Sequence, residues 1–159
     1  MHRDALLDLA IDHHAWTREA VDDVPDDRMT EQPAGCVNHP AWTLAHLCGA
    51  LDYARYALGR EPMCMMDYKS FAGPDTTPVA DAAVYPAKAG LLAMHDRVFH
   101  DLVEAVRSAT DADLAATPKP IEGMSKSLGH FTSFMLLPHV AYHLGQLARW
   151  RHAAGFGPS

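Results

Sequence analysis

Apolar residues recur at intervals of three and four in several long segments of the chain, which is the spacing that buries one face of an α-helix. The four predicted helices span Asp4–Val24, Pro40–Leu58, Pro86–Ala109 and a last segment from Ser125 or Ser127 to just before Gly155. Pro40 suits the first turn of its helix, and Gly59 suits the exit. Pro138 lies inside the last segment, where it should kink or break the helix.

The buried face of each helix can be read from the same spacing. In the first helix the expected stripe is Leu6, Leu9 or Ala10, His13, Trp16, Ala20 and Val24. In the third helix it is Leu91, Met94 or His95, Val98, Leu102 and Val106. The tryptophans Trp16, Trp42 and Trp150 are expected in the core or in a pocket wall.

Two stretches, Gln32–Leu51 and Ser127–Ala148, contain no Lys, Arg, Asp or Glu. Each is about as long as a membrane span. Both are nevertheless interrupted by His, Gly, Pro and other polar residues, so we interpret them as helices buried in a protein core.

The connections between the helices are long. Arg60–Tyr85 and Thr110–Met124 are rich in Pro, Gly, Asp and Thr, without the alternation typical of strands. A connection as long as Arg60–Tyr85 can cross the end of a bundle and shape a pocket. We therefore predict an all-α fold, a four-helix bundle with a long crossover connection between helices two and three, forming a single domain over residues 1–159.

Composition narrows the range of functions. The chain has 159 residues and a formal net charge of -7. It has no basic stripe of the kind that binds nucleic acid or an anionic membrane, so neither is expected as a partner. Three cysteines without a CxxC motif are typical of reduced thiols, and no signal-peptide core is present, which predicts a cytoplasmic protein.

The sharpest motif is His139-Val-Ala-Tyr-His143 in the last helix. Residues four apart stand on one helix face, where two imidazoles can bind one metal ion. One such pair is about what random placement of 11 His among 159 residues gives, so the spacing alone is equally compatible with an ordinary histidine pair. A second charge-free helix, however, carries His46, with Gly49 and Ala50 leaving room beside it. Three histidines on two buried helices can form a site with open coordination positions, the arrangement of catalytic zinc.

Two segments also resemble a known family. Pro40-Ala-Trp-Thr-Leu-Ala-His46-Leu and His139-Val-Ala-Tyr-His143-Leu-Gly-Gln146-Leu are similar to the signature segments of the DinB-like (damage-inducible) superfamily. That resemblance implies a four-helix bundle in which His46, His139 and His143 hold a divalent metal and Gln146 orients one of these ligands. It also implies a homodimer. Some members of the family transfer low-molecular-weight thiols, and others resemble hydrolases.

Several other residues remain open to two interpretations. His13 can support a metal ligand, be an additional ligand or be a core histidine with one hydrogen bond. The core interpretation is preferred, and it is preferred for His95 as well. His2, His14, His39, His100 and His152 are predicted to be surface or capping residues. Asp12 and Asp96 are more often solvated than catalytic. The run Met63-Cys64-Met65-Met66 could suggest copper, but flexible apolar side chains closing the end of the bundle are the better interpretation.

The function predicted from these features is a divalent-metal-dependent enzyme that acts on a small molecule. Zn²⁺ is the favoured ion, with Ni²⁺, Fe²⁺ or Mn²⁺ as alternatives, since imidazole binds several of these metals. A metal-bound thiolate or hydroxide would be the nucleophile, in thiol transfer to a small electrophile or, alternatively, in hydrolysis. No residue is assigned as catalytic. A non-catalytic metal-stabilised binding or dimerisation module is the alternative from another class.

Overall fold

The structure, a computed structural model, describes residues 3–157, and all the regular secondary structure in that range is helical. This confirms the predicted all-α class. The α-helices are α1 (Arg3–Asp22), α2 (Pro40–Ala57), α3 (Met65–Ala72), α4 (Lys88–Ser108), α5 (Asp111–Ala115), α6 (Leu128–Phe134) and α7 (Val140–Ala153), with a π-helical segment at Met135–His139 between the last two. Short 3₁₀ turns lie at Asp26–Arg28, Ala82–Val84 and Lys119–Ile121. His2 lies outside the described residues.

The ends of the long helices follow the local signals in the sequence. His39 precedes α2, and its side chain accepts a hydrogen bond from the Trp42 backbone N–H while Pro40 occupies the first turn. Ser127 caps α6 in the same way by accepting from the His130 N–H. Each cap satisfies a backbone donor that the first helical turn leaves unpaired.

Pro138 breaks the regular α-helix as predicted. It has no N–H and its ring crowds the carbonyl four residues earlier, so a continuous α-helical ladder cannot pass through it. The chain adopts π-helical geometry over Met135–His139 instead. The last predicted helix is therefore α6, the π-helical segment and α7 in succession.

Two connections predicted to be irregular contain helices. Arg60–Tyr85 includes α3, and Thr110–Met124 includes the short α5. A capping box explains α5, since the Thr110 hydroxyl accepts from the Asp113 N–H while the Asp113 carboxyl accepts from the Thr110 N–H. The expectation of loops without helices was wrong because both helices are too short to give a periodic pattern.

The buried face of α1 is rotated from the predicted stripe. Its buried residues are Leu6, Leu7, Ala10, Thr17, Ala20 and Val21. Of the pair Leu9 or Ala10, Ala10 is the buried residue and Leu9 is 44% exposed. Trp16 is 49% exposed, so the core placement predicted for it was wrong. The stripe predicted for the third helix is confirmed, since Leu91, His95, Val98, Leu102 and Val106 are all buried.

Helix α2 lies at the centre of the molecule, with its most extensive contacts to α4 and α3. A buried ion pair joins Asp52 and Arg55 on α2, and Arg55 also pairs with Asp101 of α4 at 2.7 Å. The second carboxyl oxygen of Asp52 accepts three backbone N–H groups, from residues 63, 64 and 65, at 2.7–2.9 Å. The start of α3 is thereby attached to α2.

Within residues 3–157, no helix is both long and apolar enough to cross a membrane.

Candidate metal centre

The three histidines predicted to form a metal site meet in the structure. His46 lies on α2, His139 ends the π-helical segment and His143 is one turn into α7. One ring nitrogen from each lies within 4.8 Å of the corresponding nitrogens of the other two. The centroids of the three rings are separated by 4.7–5.2 Å. His46 is therefore clustered with two histidines that lie more than 90 residues later in the sequence.

The orientation of the His46 ring is fixed by two contacts. Its Nδ1 lies 2.8 Å from the backbone carbonyl oxygen of Ala72, which can only accept, so Nδ1 carries the proton and Nε2 has a free lone pair. One face of the ring stacks on Trp42, with centroids 4.7 Å apart and planes 7° from parallel. Trp42 is itself held by a 2.9 Å hydrogen bond from its Nε1 to the Thr76 hydroxyl. Trp42, predicted in the core or in a pocket wall, is buried and stacks on a candidate ligand.

His143 is oriented by an amide. Its Nδ1 lies 2.8 Å from Oε1 of Gln146, and Asn38 donates to the same oxygen from Nδ2 at 2.9 Å. With Oε1 as acceptor of both bonds, His143 carries its proton on Nδ1 and leaves Nε2 unprotonated. Gln146 therefore contacts one of the three clustered histidines, and its role in orienting a metal ligand stays a prediction. The hydrogen bond from Asn38 to Gln146 was not predicted, because an Asn before a helix gives no sequence signal for such a role.

The third histidine lies against the first. Nε2 of His139 lies 3.2 Å from Nε2 of His46. Two nitrogens bound to one tetrahedral zinc at 2.0–2.1 Å are about 3.3 Å apart, so this separation fits a shared ion. The Nδ1 atom of His139 is buried and has no hydrogen-bond partner among residues 3–157. Three neutral imidazoles with ring nitrogens within 4.8 Å of one another therefore fit a divalent transition metal.

Burial keeps the cluster in the ligand form. Desolvation lowers the pKa of His46, and it lowers the pKa of His139 to about 4, with the neighbouring His46 as the second cause. The pKa of His143 falls to about 3, again mainly through desolvation and then through the other two imidazoles. All three rings are consequently neutral near pH 7, the form that binds metals.

A cavity of about 480 Å³ lies directly beside the histidines. Its lining residues are His46, Gly49, Ala50, Tyr53, Met65, Met66, Tyr68, Lys69, Ala72, Gly73, Pro74, Met124, Met135 and His139. Gly49 and Ala50 provide the space expected of them, and Met65 and Met66 line the cavity as expected of the methionine run. Cys64 is buried, and burial raises the pKa of its thiol to about 12, so it is not a reactive thiolate.

Two further predicted site residues, His13 and Trp150, contact other parts of the molecule. His13 is half-buried, and its Nδ1 lies 3.4 Å from the carbonyl oxygen of Leu136 in the π-helical segment. Trp150 is fully buried, donates from Nε1 to the carbonyl of Glu31 at 2.7 Å and stacks on Phe156. The structure therefore places Trp150 in the core.

A second histidine cluster joins α1 and α4. His14, predicted to be a surface or capping residue, instead stacks on Phe99 and on His95, so that prediction was wrong. His95 is in the core as predicted, but neither of its ring nitrogens has the expected hydrogen bond within residues 3–157. Nitrogen or oxygen atoms of His14, His95 and Asp96 lie within 4.8 Å of one another.

That second cluster is less suited to a cation. The His14 and His95 rings are only 17° from parallel, so their in-plane lone pairs run side by side and do not converge. The Asp96 carboxylate already pairs with Arg18, whose Nη1 lies 2.7 Å from both of its oxygens. The first cluster is accordingly the candidate metal centre.

Comparison with known proteins identifies a family. A model of the DinB superfamily matches residues 12–147, a range that includes the three histidines and Gln146. A search of curated proteins found no match. The family match covers most of the chain, and the chain therefore belongs to the DinB superfamily.

Proposed function

We propose that this protein is a divalent-metal-dependent enzyme in which His46, His139 and His143 hold the ion. The observation that carries the proposal is the convergence of ring nitrogens whose tautomers are fixed from behind, by a backbone carbonyl for His46 and by Gln146 for His143. Hydrogen bonds of this kind orient metal ligands and raise their basicity. Zn²⁺ is favoured, and Ni²⁺, Fe²⁺ or Mn²⁺ are alternatives, because imidazole nitrogen does not select strongly among them.

The proposed reaction is transfer of a low-molecular-weight thiol to a small electrophile. In this reaction the thiol gives its proton to solvent, its sulfur forms a bond to the electrophilic carbon, and the leaving group departs with the electron pair of the broken bond. A divalent ion at the three histidines would supply the lowered pKa that ionises a thiol or water near neutral pH. None of the described residues that line the cavity is a carboxylate or a cysteine, so the cavity offers no carboxylate base and no protein thiol as an alternative nucleophile.

The cavity supports catalysis over a purely structural role. Structural zinc sites usually use four protein ligands and are closed, whereas this cluster contains three and borders a cavity of ligand size. Hydrolysis, with water in place of the thiol, is the second candidate, because the same open position accepts either nucleophile. A non-catalytic metal-stabilised module is the remaining alternative.

The wider setting is proposed on the sequence and on family membership. We propose a four-helix bundle with a long crossover connection, in one domain that acts as a cytoplasmic homodimer. Its partner is a small-molecule substrate, and neither nucleic acid nor a membrane is proposed as a partner, given the formal net charge of -7.

Metal content is the first test. Elemental analysis of the purified protein should give about one divalent ion per chain, and His143→Ala and His143→Gln should each lose most of it. His152→Ala, which changes an exposed histidine in α7, is the matched control and should retain the ion. Circular dichroism would verify that all variants fold. Full metal retention by folded His143 variants would place the site elsewhere.

Activity is the second test. Metal-loaded protein would be screened with pairs of thiols and electrophiles beside ester and amide substrates, and each hit would be repeated after chelation and after metal is restored. Thiol consumption that depends on the ion supports the transferase, and ion-dependent ester or amide cleavage supports the hydrolase. A metal-loaded protein that is inert to both classes would favour the non-catalytic module.

A further inference from the structure

Most of the lining of the cavity beside the histidines is apolar. Four methionines and two tyrosines contribute side chains to it, namely Met65, Met66, Met124, Met135, Tyr53 and Tyr68. Methionine is flexible and polarisable, so such walls adapt to apolar ligands of different shapes. The volume of about 480 Å³ falls within the usual range for small-molecule sites.

Lys69 is the single formally charged residue among those lining this cavity, as far as the described chain extends. It is exposed and has no ion pair or side-chain hydrogen bond with any residue in 3–157. The chain has 20 Asp and Glu against 13 Lys and Arg, yet none of the described carboxylates pairs with this ammonium. The cation is thus available to a ligand.

Helix spacing directs Lys69 to the same cavity as the histidines. Met65, Lys69 and Ala72 are separated by four and three positions, so they share one face of α3. That face lies against the face of α2 formed by His46, Ala50 and Tyr53, which have the same spacing. Lys69 is three residues, about 4.5 Å along the axis, before the residue whose carbonyl orients His46. Its aliphatic stem can lie along the apolar wall while the ammonium stays at the water boundary.

We propose that the substrate bound in this cavity is an amphipathic anion, with an apolar body against the methionines and tyrosines and an anionic group paired with Lys69. The inference rests on the proposed function in one respect, that this cavity is where the substrate binds. Lys69 is then a specificity-determining residue, which selects an anionic substrate over a neutral one of the same shape.

A binding experiment tests this class of ligand without a reaction. Octane-1-sulfonate and methyl octyl sulfone have similar shapes and are poor metal ligands, but only the first is charged. Binding would be followed through the methyl signals of ¹³C-labelled methionines, because Met65, Met66, Met124 and Met135 report directly on the cavity. The titrations would be made after chelation, so that no bound cation attracts the sulfonate.

The wild type should bind the sulfonate about five times more tightly than the sulfone, as expected for one partly exposed ion pair. Lys69→Met should abolish that preference while leaving sulfone binding unchanged, and Lys69→Arg should retain it. Arg97→Met, which removes an exposed cation of α4 away from the cavity, is the matched control and should retain it too. Equal binding of the two compounds by the wild type, a preference that survives Lys69→Met, or methionine signals indifferent to both compounds would each overturn the proposal.

The outcome is separable from that of the metal tests. Lost preference in Lys69→Met with no metal in the purified protein would support the ligand class and reject the metal enzyme. A metal-loaded, active protein without any preference for the sulfonate would reject the ligand class alone.

Discussion

Replacing His95 with Phe should change how the stability of this protein depends on pH. His95 is 1% exposed, and neither ring nitrogen has a hydrogen-bond partner within residues 3–157. Desolvation lowers its pKa from 6.5 to about 3, and the nearby charges of His14, Arg18 and His100 act in the same direction. His14, which lies on α1, stacks on the His95 ring. A phenyl ring fills nearly the same space and cannot take up a proton.

The sign of the effect follows from proton binding in the two states. Between pH 6.5 and about pH 3 the unfolded chain binds a proton at residue 95 and the folded chain does not, so protonation favours unfolding. The free energy of unfolding therefore falls as the pH decreases through this window, and the contribution is absent above it. At pH 5 the loss is about 2 kcal/mol, from 1.5 pH units at 1.36 kcal/mol each. This magnitude stays the same for any folded-state pKa below about 4.

Urea unfolding followed by far-UV circular dichroism at pH 8 and pH 5 would measure the effect, with a chelator present to remove any metal contribution. The wild type should lose about 2 kcal/mol more than His95→Phe between these two pH values. Val98→Ala, which removes buried apolar atoms one turn away on α4, is the control, and its difference from the wild type should not vary with pH. A difference between wild type and His95→Phe that is also independent of pH would show that the folded state accommodates a charged His95 and would refute the reasoning.

Three further predictions concern the metal centre and its support. Gln146→Leu should weaken metal binding by about 10–100-fold, measured by competition with a chelator, because it removes the acceptor that orients His143, and an unchanged affinity would contradict this role. Asp52→Asn should lower the free energy of unfolding by about 3 kcal/mol in urea, because it disturbs a buried ion pair with Arg55 and the attachment of α3, and a loss below about 1 kcal/mol would contradict that account. Free metal at 100 times its dissociation constant should raise the free energy of unfolding by about 2.7 kcal/mol in calorimetry, whereas His143→Ala should not respond. An equal response of that variant would indicate that the ion binds elsewhere.

Much of the fold could be predicted from the sequence because its signals are local. Helix caps such as His39 and Ser127 and the break at Pro138 act within a few residues of chain. The pairing of His139 with His143 also follows from helix geometry alone. Their meeting with His46 depended on the prediction that two charge-free helices are buried together.

The features that sequence reasoning missed involve contacts without a side-chain signature. The acceptor for His46 is a backbone carbonyl, which any residue at position 72 provides. On α1, periodicity favoured burial of Trp16, but the helix is rotated so that Thr17 is buried and His14 packs against α4. A rotation of this size is set by the neighbouring helices and not by the spacing of apolar residues within α1.

Helix α3 is fastened to α2 at both ends, with Asp52 holding the backbone at its start and His46 bonded to the carbonyl of its last residue. The orientation of the His46 ring consequently depends more on the number of residues between these two attachments than on the identity of those residues. One added or deleted residue would turn the far end of α3 by about 100° and carry the carbonyl away from the imidazole. As the gene diverges, this stretch should therefore accept many substitutions while resisting insertions and deletions.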